Sequence, residues 1–116
     1  MSYKAVFHID LKDDQLFTLA LGNITNSLAA LEGIKSDFIL LANGPGVAML
    51  AGEHVKKHLE QIATLADAGV RFQACNNALK KYGVTSEDLA VNVEIIPAGI
   101  IGLIDLQDSG FAYIKP

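Results

Sequence analysis

The feature that most restricts this chain is a repeated change of hydrophobic period. Short runs apolar on successive positions alternate with stretches in which apolar residues recur every three or four positions. A run that is apolar on consecutive residues must be covered on both faces, which is the situation of a strand inside a parallel sheet. Tyr3 to Ile9 is the first such run and Asp37 to Asn43, with Phe38-Ile39-Leu40-Leu41, is the second. Val70 to Ala74, Val93 to Ile96 and Phe111 to Ile114 complete the set.

Between the first two runs, Asp13 and Asp14 sit at a helix start, where carboxylates favour the unpaired N–H groups and the positive end of the dipole. Leu16, Ala20, Ile24, Leu28 and Leu31 then mark a helical stripe, which Gly33 ends. After Gly44-Pro45-Gly46 a second helical region is expected, with Val55, Leu59, Ile62, Ala63 and Ala66 buried and Lys56, Lys57, Glu60 and Gln61 wet, ending at Ala68-Gly69. Cys75-Asn76-Asn77 opens a short helix that closes at Gly83, and Thr85-Ser86-Glu87-Asp88 reads as a cap in which Thr85 or Ser86 accepts from backbone N–H groups. Ala98 to Asp108 is a helix apolar on nearly every side. This order predicts one α/β domain over residues 1–116, a three-layer open sheet of about five mainly parallel strands, with a flavodoxin-like order as the preferred topology.

Composition narrows the function. A chain of 116 residues can bury one core without covalent staples, and its single cysteine excludes an intramolecular disulfide or a multi-thiolate metal site. Nine basic residues against thirteen acidic ones, net −4, argue against nucleic acid as a partner. The longest stretch without strong polarity, Ile95 to Ile104, contains a proline and two glycines and is about half the ~20 residues of a membrane span. The N-terminus lacks the basic, apolar, small-residue order of a secretion signal, so a cytoplasmic protein with a free thiol and no membrane contact is expected. At 51% hydrophobic residues the chain carries more apolar surface than a monomer of this size can hide; part belongs to strands covered on both faces, and part, centred on Ala98 to Leu106, is expected at an interface between copies of the chain.

In open α/β sheets, ligands bind beyond the carboxyl ends of the strands. Those positions hold His8 and Asp10, Asn43-Gly44-Pro45-Gly46, Cys75-Asn76-Asn77 and Pro97-Ala98-Gly99. Cys75 stands where a strand hands over to a helix, a placement that favours thiolate. It has two readings, a nucleophile or a small buried hydrophobe. His8 could move a proton or steady a thiolate, or simply bond a strand end to backbone. Asn43, Gly44, Gly46, Asn76, Asn77 and Gly99 form a rim suited to a small anionic ligand. Asp10, Asp13 and Asp14 read as caps rather than an acid–base pair. His54 and His58 are four apart but lack a third ligand and adjoin Lys57, so a surface helix is expected there and no metal site. Gly44-Pro45-Gly46 falls short of a dinucleotide fingerprint because the sixth position is Met49 and the loop follows the second strand. No cofactor is indicated. Gly99 and Gly102 permit close packing of their helix on another element.

The segment Val70-Arg71-Phe72-Gln73-Ala74-Cys75-Asn76-Asn77-Ala78-Leu79-Lys80-Lys81-Tyr82-Gly83-Val84 resembles the DsrE/DsrF-like family, in which a strand leads to a cysteine and a short helix ending in a basic residue and glycine. Pro97 to Leu103 and Leu106 to Pro116 look like the small stand-alone members, and the resemblance spans nearly the whole chain. It implies an open α/β sheet, assembly into homotrimers or homohexamers, and sulfur relay, in which Cys75 would carry a persulfide sulfur between donor and acceptor proteins. With no second cysteine, such a relay would run between proteins. A sulfurtransferase or sulfur carrier is thus one reading; a module binding a small anion without chemistry, or a structural subunit of an assembly, is the other.

Overall fold

The computed structural model describes residues 2–116. Five strands form one sheet: β1 (Tyr3–Ile9), β2 (Ser36–Ala42), β3 (Arg71–Cys75), β4 (Val93–Ile96) and β5 (Ala112–Ile114). All four pairings are parallel, with His8 opposite Leu41, Leu41 opposite Gln73, Cys75 opposite Ile96, and Val6 opposite Tyr113. The helices are α1 (Asp14–Ala30), α2 (Gly52–Lys56), α3 (Leu59–Asp67), α4 (Asn76–Lys81) and α5 (Gly99–Asp108), with 3₁₀ segments at Gly44–Leu50 and Ser86–Asp88.

The layered α/β architecture is as expected from the sequence, but the strand order is β4-β3-β2-β1-β5 rather than the flavodoxin order 2-1-3-4-5. The chain steps in one direction from β1 to β4, then recrosses the sheet to set β5 beside β1. Right-handed crossovers running in opposite directions put their helices on opposite faces. Ala5, Phe7, Ile9, Phe38, Leu40, Phe72 and Ala74 accordingly pack with α1 to α4 in one cluster. Val6, Ile39 and Leu41 pack with Leu103 of α5 and Phe111 in a second, smaller one.

Local signals explain most boundaries. The Asp13 carboxylate accepts from the Gln15 and Leu16 N–H groups, at 2.9 and 3.1 Å, and caps α1. Gly69 and Gly110, at φ +100° and +96°, let α3 and α5 close with N–H bonds from Val70 to Leu65 O and from Phe111 to Leu106 O, both 3.0 Å. These bonds aim an apolar residue into the next strand.

Three expectations are corrected. The buried stripe of α1 is Phe17, Ala20, Leu21 and Ile24, because steps of four drift about 40° per step around a helix of 3.6 residues per turn. The region after Gly46 is a 3₁₀ segment and two helices broken at Lys57-His58, so the α3 stripe changes phase: Ile62 and Leu65 are buried, while Leu59 and Ala63 are exposed. At 85–88 the Thr85 hydroxyl donates to the Asp88 carboxylate, at 3.1 Å, instead of accepting from backbone.

Candidate functional site

Cys75 ends β3 and is the residue before α4, with φ −72° and ψ 120°. It is 6% exposed. Its side chain forms part of the wall of a cavity of about 290 Å³ with Asn43, Gly44, Asn77, Lys81, Tyr82, Gly99 and Ile100. The carboxyl ends of β2 and β3 and the starts of α4 and α5 thus meet at one rim, as the sheet rule requires.

Gly99 makes that meeting close. A Cβ there would lie 2.8 Å from Asn43 Cβ, 3.1 Å from Cys75 Cβ and 3.5 Å from Cys75 Sγ, so only hydrogen fits. Gly102 lets the next turn of α5 settle on Ile96 and Leu41. Ala98 has no side-chain acceptor and caps nothing, which leaves the first N–H groups of α5 available beside the thiol.

His8 is 93% removed from solvent, at 7% exposure, and does not line the cavity. It stands behind Asn43. Its Nε2 lies 2.6 Å from Asn43 Oδ1 and its Nδ1 lies 2.6 Å from the Tyr113 hydroxyl. Asp10, just past the end of the same strand, pairs with Lys115, whose hydrogen bond is the main reason its carboxyl is held below the usual range.

The remaining rim residues divide. Asn43, Gly44, Asn77 and Gly99 line the cavity with Cys75. Asn76 is half-buried and outside that lining. Gly46 is also outside that lining: it is buried, and a Cβ there would sit 2.4 Å from Ile9 O, so it packs the 3₁₀ segment closely on β1. His54 is exposed, whereas His58, expected on a surface helix, is buried: its Nε2 bonds Asp14 Oδ1 at 3.0 Å and its ring meets Phe17 edge-on, 5.0 Å between centroids. Among the described residues no group of three His, Cys, Asp or Glu is placed to hold a metal ion.

Lys81 and Tyr82 were not singled out from sequence, yet both line the cavity. Their signal is the helical spacing of four from Asn77 and Ala78, which puts each pair on one face. Lys81 is the charged group of the lining, and no carboxylate accompanies it. A larger apolar groove, about 540 Å³ between α1 and β5, offers Tyr3, Phe7, Leu31 and Phe38 but no thiol, imidazole or carboxylate. The thiol lies at the smaller cavity.

The family model for the DsrE/DsrF-like family matches residues 5–116, nearly the whole chain including Cys75. The chain belongs to the DsrE/DsrF-like family. Among solved structures this DsrE-like chain is similar to the protein of unknown function MTH1491 from Methanobacterium thermoautotrophicum, at 32% identity and TM-score 0.88, covering 98% of this chain and 99% of that one. Two more distant likenesses show the fold alone. The ychN protein from E. coli has 16% identity, TM-score 0.72 and coverage of 98% and 99%. The conserved protein of unknown function BT1422 from Bacteroides thetaiotaomicron has 18% identity, TM-score 0.71 and coverage of 97% and 94%. A comparison with curated proteins returns no match. No helix among the described residues is long and apolar enough to cross a membrane.

Proposed function

We propose that this DsrE-like protein relays sulfur between proteins, holding it as a persulfide on Cys75. The supporting observation is a thiol in the wall of a cavity whose charged group is a lysine and which contains no carboxylate. Thiolate and persulfide are both anions, and donors at Asn43, Asn77, Lys81 and the first turn of α5 suit both. In the loading step the Cys75 thiolate attacks the outer sulfur of a donor persulfide. A new S–S bond forms, the donor's S–S bond breaks, and the donor leaves as thiolate. In the unloading step an acceptor thiolate attacks the outer sulfur and Cys75 departs as thiolate. The sulfur keeps its oxidation state throughout, so no cofactor is needed.

Ile100, Ile101 and Ile104 of α5 are 56–58% exposed, on the sheet face that a single helix covers. We place a self-association surface there, as a trimer or hexamer of this chain, acting in the cytoplasm. Loading is tested by incubating the protein with glutathione persulfide and weighing it intact. A one-sulfur increment is expected in the wild type and not in Cys75→Ser; an unmodified wild type refutes the relay. The same cavity supports a second reading, capture of a small anion without chemistry. In that case Cys75→Ser retains ligand-induced thermal stabilisation.

A further inference from the structure

A hydrogen-bonded row crosses three strand ends and finishes at the Cys75 cavity. Tyr113 on β5 is level with Val6 and therefore diagonal to His8 on the same face of the sheet. Asn43, which follows β2, donates its backbone N–H to Ile9 O at 3.0 Å and places its amide on the other side of His8. The imidazole is thus held at both nitrogens, 2.6 Å from Tyr113 Oη and 2.6 Å from Asn43 Oδ1.

A phenolic hydroxyl donates more readily than it accepts, and with Asn43 Oδ1 set against Nε2 the proton positions follow. An amide oxygen can only accept, so His8 Nε2 must carry hydrogen; in the neutral ring Nδ1 is then a lone pair, which takes the Tyr113 hydroxyl proton. With Oδ1 occupied by His8, the Nδ2 donors of Asn43 form the half of the amide that is free for the cavity it lines. We propose that Tyr113 is a positioning residue: through the His8 tautomer it fixes the orientation of the Asn43 amide, presenting donors rather than an acceptor to an anion bound at Cys75.

Removing the Tyr113 hydroxyl removes the preference. Water serves either ring tautomer at that position, so the form with hydrogen on Nδ1 becomes comparably populated. Its Nε2 lone pair then draws Asn43 Nδ2, the amide turns over, and Oδ1 faces the anion. The effect is a change of sign in one contact with the fold intact, because Tyr113 is 41% exposed on an edge strand and Phe keeps its ring.

This inference deepens the sulfur-relay reading, but its test uses neither sulfur donor nor acceptor. Cys75 is alkylated in parallel with iodoacetate, an anion, and iodoacetamide, its neutral analogue, and the ratio of the two rates is compared between variants. Tyr113→Phe and Asn43→Ala are each expected to lower the iodoacetate-to-iodoacetamide ratio by roughly three- to tenfold, the worth of a hydrogen bond to a charged group at a partly wet site. A row that only fastened strand ends would change both rates together and leave the ratio unmoved. Nitrogen-15 spectra of the His8 ring in the wild type above neutral pH are expected to show hydrogen on Nε2. Hydrogen on Nδ1, or a ratio unchanged by Tyr113→Phe, overturns the proposal. A protein that takes up no sulfur yet shows the ratio effect loses the relay and keeps the positioning role.

Discussion

Three glycines in helices offer one chemical change in three surroundings, and the structure assigns each a different outcome. At Gly22, within α1, an added Cβ meets nothing within 4 Å. Alanine there gains helix propensity of up to about 1 kcal/mol. At Gly102 the Cβ would lie 2.9 Å from Ile96 Cδ1 and 3.3 Å from Leu41 Cδ1, both ends of flexible side chains. Rotamer adjustment costs about 1 kcal/mol and the propensity gain offsets it. At Gly99 the neighbours are Asn43 Cβ and Cys75 Cβ, at 2.8 and 3.1 Å, which are fixed to the backbone and cannot swing away. Overpacking of this kind costs about 1–3 kcal/mol, and little propensity is recovered at the first helical position, so a net loss of about 1–2 kcal/mol is expected. At roughly 4 °C per kcal/mol for a domain of this length, Gly99→Ala lowers Tm by about 4–8 °C, Gly22→Ala raises it by up to about 4 °C and Gly102→Ala leaves it nearly unchanged. Thermal unfolding at one fixed protein concentration reads all three, and alkylation of Cys75 reports whether the cavity has shifted. A Gly99→Ala protein as stable as Gly102→Ala, with an unchanged alkylation rate, refutes the close contact of α5 with the thiol.

Two further outcomes follow from other parts of the molecule. The Asp14 carboxyl is held below the usual carboxylate range, first by its hydrogen bond from Lys57 and then by that from His58. A depressed folded-state pKa contributes stability that is complete above the unfolded value of about 3.9 and is lost as pH falls through the folded one. Asp14→Asn should therefore flatten the fall in urea midpoint between about pH 5 and about pH 2, and parallel slopes in the two proteins would contradict the pairing. On α5, replacing Ile101 and Ile104 together by lysine removes exposed apolar surface. Sedimentation is expected to show a smaller species than the wild type, and an unchanged one removes this face from the interface.

The local signals in the chain were sufficient for the strands and most helices, and insufficient for the break at Lys57-His58 and for anything that depends on strand order. Asp13 as a cap and the end points of β1 and β4 follow from residue chemistry within a few positions, and they are where the sequence places them. The stripes failed where the phase of a helix had to be carried too far. In α1 a chain of fours drifted off the buried line, so Phe17 and Leu21 went unnoticed, and the break at Lys57-His58 reset the count for Leu65. The buried His58 could not be foreseen because its partners, Asp14 and Phe17, stand more than forty positions away on α1. At the rim, Asn43, Gly44, Cys75, Asn77 and Gly99 were legible from the rule about strand ends. Tyr113 was not, since its contact with His8 exists only if β5 lies beside β1.

That last dependence locates the origin of the site. Strands β1 to β4 with α1 to α4 complete a layer that needs nothing more to bring Asn43 and Cys75 to one edge. The return crossing from β4 to β5 adds two things at once: the start of α5 arrives over Cys75 from the opposite face, and β5 sets Tyr113 against His8. One reversal of direction therefore supplies the third wall of the cavity, through Gly99 and Ile100, and the far end of the hydrogen-bonded row. It also leaves a face of five strands under one helix of ten residues, which is why Ile101 and Ile104 remain exposed. The Cys75 cavity and the exposed face of α5 consequently share one helix, since Ile100 lines the cavity while Ile101, the next residue, is exposed on the outer surface. Gly99 stands so near Asn43 and Cys75 that an added Cβ would lie 2.8 Å from Asn43 Cβ, so a partner that shifted the start of α5 would alter the packing on Asn43 and the thiol.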